Sequence, residues 1–158
     1  MQARTWQAVE KTGGNPRLLS TDAGTVRAFH HLDAGDSFDV DQVVADADVA
    51  AYDGLVLPGG VANPDALRMD EDAVSFIKEV VESGKPVAAI CHAAWALVEA
   101  DVVRGKRLTS WPSLQTDLRN AGAEWVDEEV VVDGNLVTSR NPDDLPAFNE
   151  ALVSLIGG

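Results

Sequence analysis

Apolar and polar positions along this 158-residue chain switch between a period near two and a period near 3.6. Residues 3–12 carry the helical period and stop at Gly13-Gly14. The stretch "RLLS" (17–20) predicts a short strand. A turn at Asp22-Ala23-Gly24 leads to a second candidate strand, "TVRAFHHLD" (25–33), and "DQVVAD" (41–46) reads as a third. "ADVAAYD" (47–53) predicts a short helical turn. The run "GLVLPGG" (54–60) is continuously apolar and closes on Pro-Gly-Gly. A run of that kind suits a strand covered on both faces, as in a parallel sheet.

The second half repeats the alternation. "DEDAVSFIKEVVESGKP" predicts a helix capped by Asp70, with acids in its first turn and Gly84 and Pro86 beyond its end. Ala73, Val74, Phe76, Ile77, Val80 and Val81 form its apolar stripe. "PVAAIC" (86–91) predicts a second buried strand and "AAWALVEA" (93–100) a helix. "KRLTSW" (106–111) predicts a strand, and "PSLQTDLRNAG" (112–122) a helix with Pro112 at its start. "EEVVVDGNLVTSR" (128–140) predicts a hairpin turning at Asp133-Gly134, and 143–158 a closing amphipathic helix. Alternating strands and helices imply one α/β domain, residues 1–158, around a mostly parallel sheet. One conflict stands out: such sheets normally open with a strand, and this chain opens with a helix.

Composition narrows the classes of function. With 46% apolar and 24% charged residues the chain is ordinarily globular. The sequence offers no apolar stretch long enough to span a bilayer, and its start lacks the basic-then-apolar pattern of a secretory signal. A lone cysteine forms no internal disulfide, and the plain expectation is a reducing, cytoplasmic setting. The formal net charge is −14, which repels nucleic-acid phosphate and anionic lipid, so neither is an expected partner. Aspartate outnumbers glutamate 17 to 9, and lysines number 4. That balance suits a halophilic surface or an ordinary acidic one.

The lone cysteine is where chemistry is expected. Cys91 lies between the strand "PVAAI" and the helix that follows, with His92 next and the small Ala93-Ala94 after it. Strand, nucleophile and helix in that order make a nucleophile elbow, in which a sharp turn lifts one side chain above the sheet edge. The N–H groups and positive dipole end of the helix would favour thiolate, the reactive form. The backbone N–H of His92 can serve an oxyanion, and a second donor is expected from the Gly59-Gly60 turn. The other reading of a free cysteine is a small buried hydrophobe. Both strand ends are expected on the carboxyl edge of the sheet, where ligands bind in this architecture.

"GLVLPGG" together with the stretch from "PVAAICHAAWALVEADVVRGKRLTSW" to "AGAEWVDEEVVVDGNLVTSR" closely resembles the PfpI-type intracellular proteases. Their superfamily also holds metal-free glyoxalases and protein deglycases on a class I glutamine amidotransferase-like fold. The resemblance runs from about Trp6 to the last helix. It implies a flavodoxin-like three-layer sandwich, no cofactor or metal, and a Cys-His-acid set with Cys91 and His92 as the first two members. In the PfpI branch the acid is a Glu just after the Gly-Gly strand end, supplied by a neighbouring subunit. Here "GGVANPDALR" places Asp65 there, one methylene shorter; it could equally be the N-cap of a short helix. Relatives start with a strand and an acidic loop whose Glu bonds the cysteine, whereas this sequence starts at the helix after it. The expectation is that residues upstream of Met1 supply both. A chain truly lacking the strand would leave a groove with unpaired backbone groups, low stability and low activity.

The resemblance thus implies a cysteine-dependent stress-response hydrolase. Its substrates would be peptide amides or small reactive dicarbonyl adducts, and it would act as a homo-oligomer. The alternative is a non-catalytic stress protein whose cysteine senses oxidation. Trp111 in "TSWPS" stands where relatives place an aromatic near the cysteine, so it is a candidate pocket residue beside Ala93. Trp6, Trp95 and Trp125 are expected to bury apolar area in the core or at subunit contacts. Adjacent His30 and His31 on a strand would point to opposite faces and cannot share one metal, which leaves them as surface or pocket-rim residues. "LPGGV" lacks the Gly-Lys-Ser/Thr of a phosphate loop, which argues against nucleotide binding.

Overall fold

The computed structural model describes residues 2–30 and 33–157. In chain order the elements are α1 (Gln2–Lys11), β1 (Leu19–Ser20), β2 (Thr25–His30), β3 (Asp33–Asp39), β4 (Gln42–Val43), β5 (Leu55–Leu57), α2 (Ala62–Leu67) and α3 (Glu71–Glu82). There follow β6 (Val87–Ile90), α4 (Ala94–Glu99), β7 (Arg107–Leu108), α5 (Gln115–Asn120), β8 (Glu124–Trp125), β9 (Val130–Asp133), β10 (Leu136–Ser139) and α6 (Leu145–Ile156). Among the described residues no helix is long and apolar enough to cross a membrane.

β6 shows why the chain makes a sandwich. Its four side chains are all buried, and they alternate between two cores. Val87 and Ala89 face Phe76, Ile77 and Val80 of α3 and Leu97 of α4. Ala88 and Ile90 face Leu145, Phe148 and Leu152 of α6, with Val9 of α1 beside them. A period of two with both faces apolar is what a central strand between two helical layers needs. The main sheet runs β5-β6-β10-β9, with β5, β6 and β10 parallel and β9 antiparallel to β10. This is the mixed, mostly parallel α/β sandwich that the apolar runs imply.

Local chemistry fixes the element ends. The Asp70 carboxylate accepts the Ala73 N–H at 2.8 Å and caps α3, an interaction worth about 1 kcal/mol. The stripe divides as its spacing requires: Ala73, Phe76, Ile77 and Val80 are buried, while Val74 and Val81 are half-buried. The β9–β10 hairpin turns at Gly134-Asn135, one residue later than predicted, because Asp133 stays in the ladder opposite Leu136. Asn135 then donates from its side chain to the carbonyls of Val81 and Lys85, tying the turn to the end of α3.

Several expectations need correction. The predicted strand over 41–46 is extended only at Gln42–Val43. Val44–Asp46 form a 3-10 turn that carries Val44 into the core. The strand predicted over 106–111 ends at Leu108, because the Thr109 N–H goes to the Thr138 hydroxyl and the Trp111 N–H to the Cys91 carbonyl. β3 pairs antiparallel with β2, and β8 parallel with β7, neither foreseen. Residues 31–32 lie outside those described, so the reading of His31 ends there.

β1 pairs in parallel with β4, and β5 bonds on one side only, to β6. Among the described residues no ladder joins β1 to β5. Leu19 of β1 nevertheless packs against the same core as Leu55 and Leu57 of β5.

Candidate functional site

β6 delivers the chain to its carboxyl end in extended form, with Ile90 at φ −127° and ψ 144°. Cys91 then takes φ 64°, the left-handed region, and residues 91–93 make one 3-10 turn into α4. A non-glycine residue there costs on the order of 1 kcal/mol, which the flanking strand and helix sustain. The left-handed kink is the sharp turn an elbow needs, and it leaves Cys91 buried at the end of β6, against the core shared with α6. Cys91 keeps 9% of its surface exposed.

Three groups meet the sulfur. The backbone N–H groups of Gly60 and His92 donate to Sγ. Gly60 can do so because it follows β5, the strand next to β6, and sits at φ 89°, a conformation that favours glycine. The third group is Nδ1 of His92, 3.2 Å from Sγ. The Trp111 N–H closes the turn on the Cys91 carbonyl at 3.1 Å. Trp111 stacks on the imidazole with ring centroids 5.9 Å apart and planes 22° apart, and is itself 40% exposed.

The electrostatics correct the expectation of an ionised sulfur. Burial pushes the Cys91 thiol up, and the amides of Gly60 and His92 only partly offset it. Burial likewise lowers His92, which favours neutral imidazole. The helix behind the elbow is too weak to reverse this: it opens in a 3-10 turn and α4 spans six residues. With both groups neutral, Sγ and Nδ1 stand 3.2 Å apart, close enough for a proton to pass between them. The thiol lies above the ordinary value of 9.0 and the thiolate is the nucleophile, so alkylation of Cys91 by iodoacetamide should keep rising through pH 9. A rate that levels off below pH 7 would contradict that direction.

The other predicted residues divide. Asp65 is exposed on α2 and makes no hydrogen bond to His92 within the chain. It is not the N-cap either, since Val61 holds that position and Asp65 lies in the first turn. Gly59 is half-buried beside Gly60, and its amide is not among the donors to Sγ. Ala93, expected at the pocket, is 1% exposed and packs in the core under α4, so that expectation is corrected. Its small side chain lets the elbow turn lie close on the core.

Sequence reasoning missed three contributors. Trp95 packs edge-on to His92, with centroids 5.3 Å apart and planes at 63°. Its indole N–H donates to Asp117 at 2.9 Å, and the Arg68 guanidinium lies 5.8 Å over its ring. The one available signal was spacing: Trp95 is three residues after His92, hence on the same helical face. Trp95 and Trp125 both also pack against the core as expected, Trp125 with its N–H on the Ser110 hydroxyl.

The comparisons converge on one family. The DJ-1/PfpI family profile matches residues 3–155. The chain is 42% identical over 151 residues to Deglycase PH1704 of Pyrococcus horikoshii, covering 96% of this chain and 88% of that one. It is 50% identical over 122 residues to Protein/nucleic acid deglycase 2 of Escherichia coli (strain K12), covering 77% and 70%. The crystal structure of DJ-1beta from Drosophila melanogaster superposes with a TM-score of 0.86 at 28% identity, covering 99% of this chain and 83% of that one.

Proposed function

This chain belongs to the DJ-1/PfpI family, and on that premise we propose that it is a cysteine-dependent enzyme acting on small carbonyl compounds, of the deglycase type. One observation carries the reading: at the left-handed turn of Cys91, two backbone N–H donors and Nδ1 of His92 converge on a single sulfur. Sγ adds to the carbonyl carbon as its proton passes to Nδ1. The carbonyl oxygen takes the developing negative charge within reach of the Gly60 and His92 amides. His92 then returns the proton to that oxygen, which leaves a neutral thiohemiacetal on Cys91.

Peptide amides would begin with the same addition. The burial of Cys91, 9% exposed as a whole residue, favours a compact substrate over an extended peptide backbone. A net charge of −14 opposes direct docking on nucleic acid. Trp111 offers a flat apolar wall beside His92. Homo-oligomer formation belongs to this reading, and the exposure of Asp65, Val61 and Met69 leaves the Asp65 carboxylate available to a second copy of the chain.

The test is incubation with methylglyoxal-modified thiols and amines and, separately, with fluorogenic peptides. Adduct removal that depends on Cys91, with peptides cleaved slowly or not at all, is expected. Equal removal by Cys91→Ala would overturn the reading. Oxygen added to Cys91 by mild peroxide, with no substrate consumed, would favour an oxidation sensor instead.

A further inference from the structure

The His92 imidazole has no carboxylate partner within the chain among the described residues, and it packs against two indoles. We propose that Trp95 is a positioning residue for His92, itself held by Asp117 and Arg68. This rests on the reading of Cys91 and His92 as the reacting pair.

The contacts come from four separate segments of the chain. Trp95 rises from α4 one turn beyond His92 and meets the imidazole edge-on. Trp111 stacks nearly parallel on the imidazole, so the ring packs against two indoles. Asp117 reaches from α5 to take the Trp95 N–H. Arg68, just past α2, covers the indole and is anchored in turn by Glu99 at 3.2 Å. A tryptophan that only filled core volume would gain little from a fixed N–H on an exposed carboxylate. The torsion that turns an indole about its Cβ–Cγ bond is broad, and this hydrogen bond removes that freedom. With the indole fixed, the imidazole cannot tilt away, and Nδ1 stays 3.2 Å from Sγ. Neither Trp95 nor Asp117 touches the sulfur, so their effect passes through the orientation of His92.

The experiment compares Asp117→Leu, Asp117→Asn and Trp95→Phe with the parent. The readouts are the NMR titration of the His92 imidazole, the rate of Cys91 alkylation by iodoacetamide, and the melting temperature. Asp117→Leu and Trp95→Phe should raise the His92 titration toward the ordinary histidine range as the ring gains water. Alkylation should slow on the order of tenfold as Nδ1 leaves Sγ. Asp117→Asn should behave as the parent, because its amide oxygen still accepts the indole N–H. Should Trp95→Phe fail to fold, the two Asp117 variants, at an exposed surface position, decide alone. Parent-like titration and alkylation in Asp117→Leu, or identical behaviour of the Asn and Leu variants, would overturn the proposal. None of these readouts requires turnover. A shifted His92 in a protein that consumes no carbonyl substrate would therefore sink the enzymatic reading and leave the positioning role standing.

Discussion

Cys91→Ala should lose carbonyl turnover by at least about 10³-fold, with other steady-state properties beyond measurement. The reason is that covalent addition has no substitute atom. The neighbouring donors are backbone amides, and His92 is a proton acceptor rather than a nucleophile. The fold should survive, because the change removes one sulfur from a position at the sheet edge, and alanine meets the same left-handed backbone as cysteine. Cys91→Gly sharpens the point. At φ 64° glycine relieves the strain that a side chain imposes. Cys91→Gly should therefore melt no lower than Cys91→Ala while being equally inactive. Measuring kcat/KM with a methylglyoxal adduct beside the melting temperature checks both halves. If Cys91→Gly melts well below Cys91→Ala, the left-handed turn stores no strain.

The elbow was legible in the sequence because its parts are contiguous. An apolar run, one cysteine and a helix with small residues specify a strand, a kink and a cap within about a dozen positions. The same holds for Asp70, whose capping role follows from the acids and apolar stripe after it. What was not legible depends on partners distant in sequence. Nothing in "AEW" predicts that Glu124 and Trp125 lie beside β7, since two residues carry no period. The polar stretch "AGDSFD" predicted no element, yet with Asp33 it forms β3 because β2 is there to pair with it. The ionisation of Cys91 depends on burial, a tertiary property, so the helix-dipole argument gave the wrong direction. The clamp on His92 joins residues 22 apart in sequence, Trp95 and Asp117. Spacing could show that Trp95 and His92 share a face, but not that a carboxylate from another helix would fix the indole.

The second large effect lies behind the site, where the sheet passes into its last helix. Ser139 ends β10 opposite Ile90, the residue before Cys91, and Arg140 follows it. The Asp144 carboxylate, with its side chain 6% exposed, accepts bonds from the Arg140 backbone N–H, Nε and Nη2, each at 3.0 Å. Burial alone would push Asp144 up, but the bonds from Arg140 outweigh it and hold the carboxyl below its ordinary value of 3.8. Arg140→Met strips away the guanidinium and leaves a buried carboxylate with backbone donors only. The expected loss at pH 7 is about 3 kcal/mol, or roughly 10 °C in melting temperature. Asp144→Leu should cost less, because Arg140 is 28% exposed and keeps Asp127 at 2.9 Å. The pH dependence follows from the sign of the shift. A depressed carboxyl stabilises the fold fully above 3.8, and that contribution fades as pH falls through the lower folded value. In Arg140→Met the carboxyl is freed from its cation and should move up, so its penalty is relieved by protonation. The gap between parent and variant should therefore narrow from pH 7 to roughly pH 3, as read from urea midpoints. A gap that stays constant across that range would mean that packing of the Arg140 stem, and not its charge on Asp144, locks α6 to the end of the sheet.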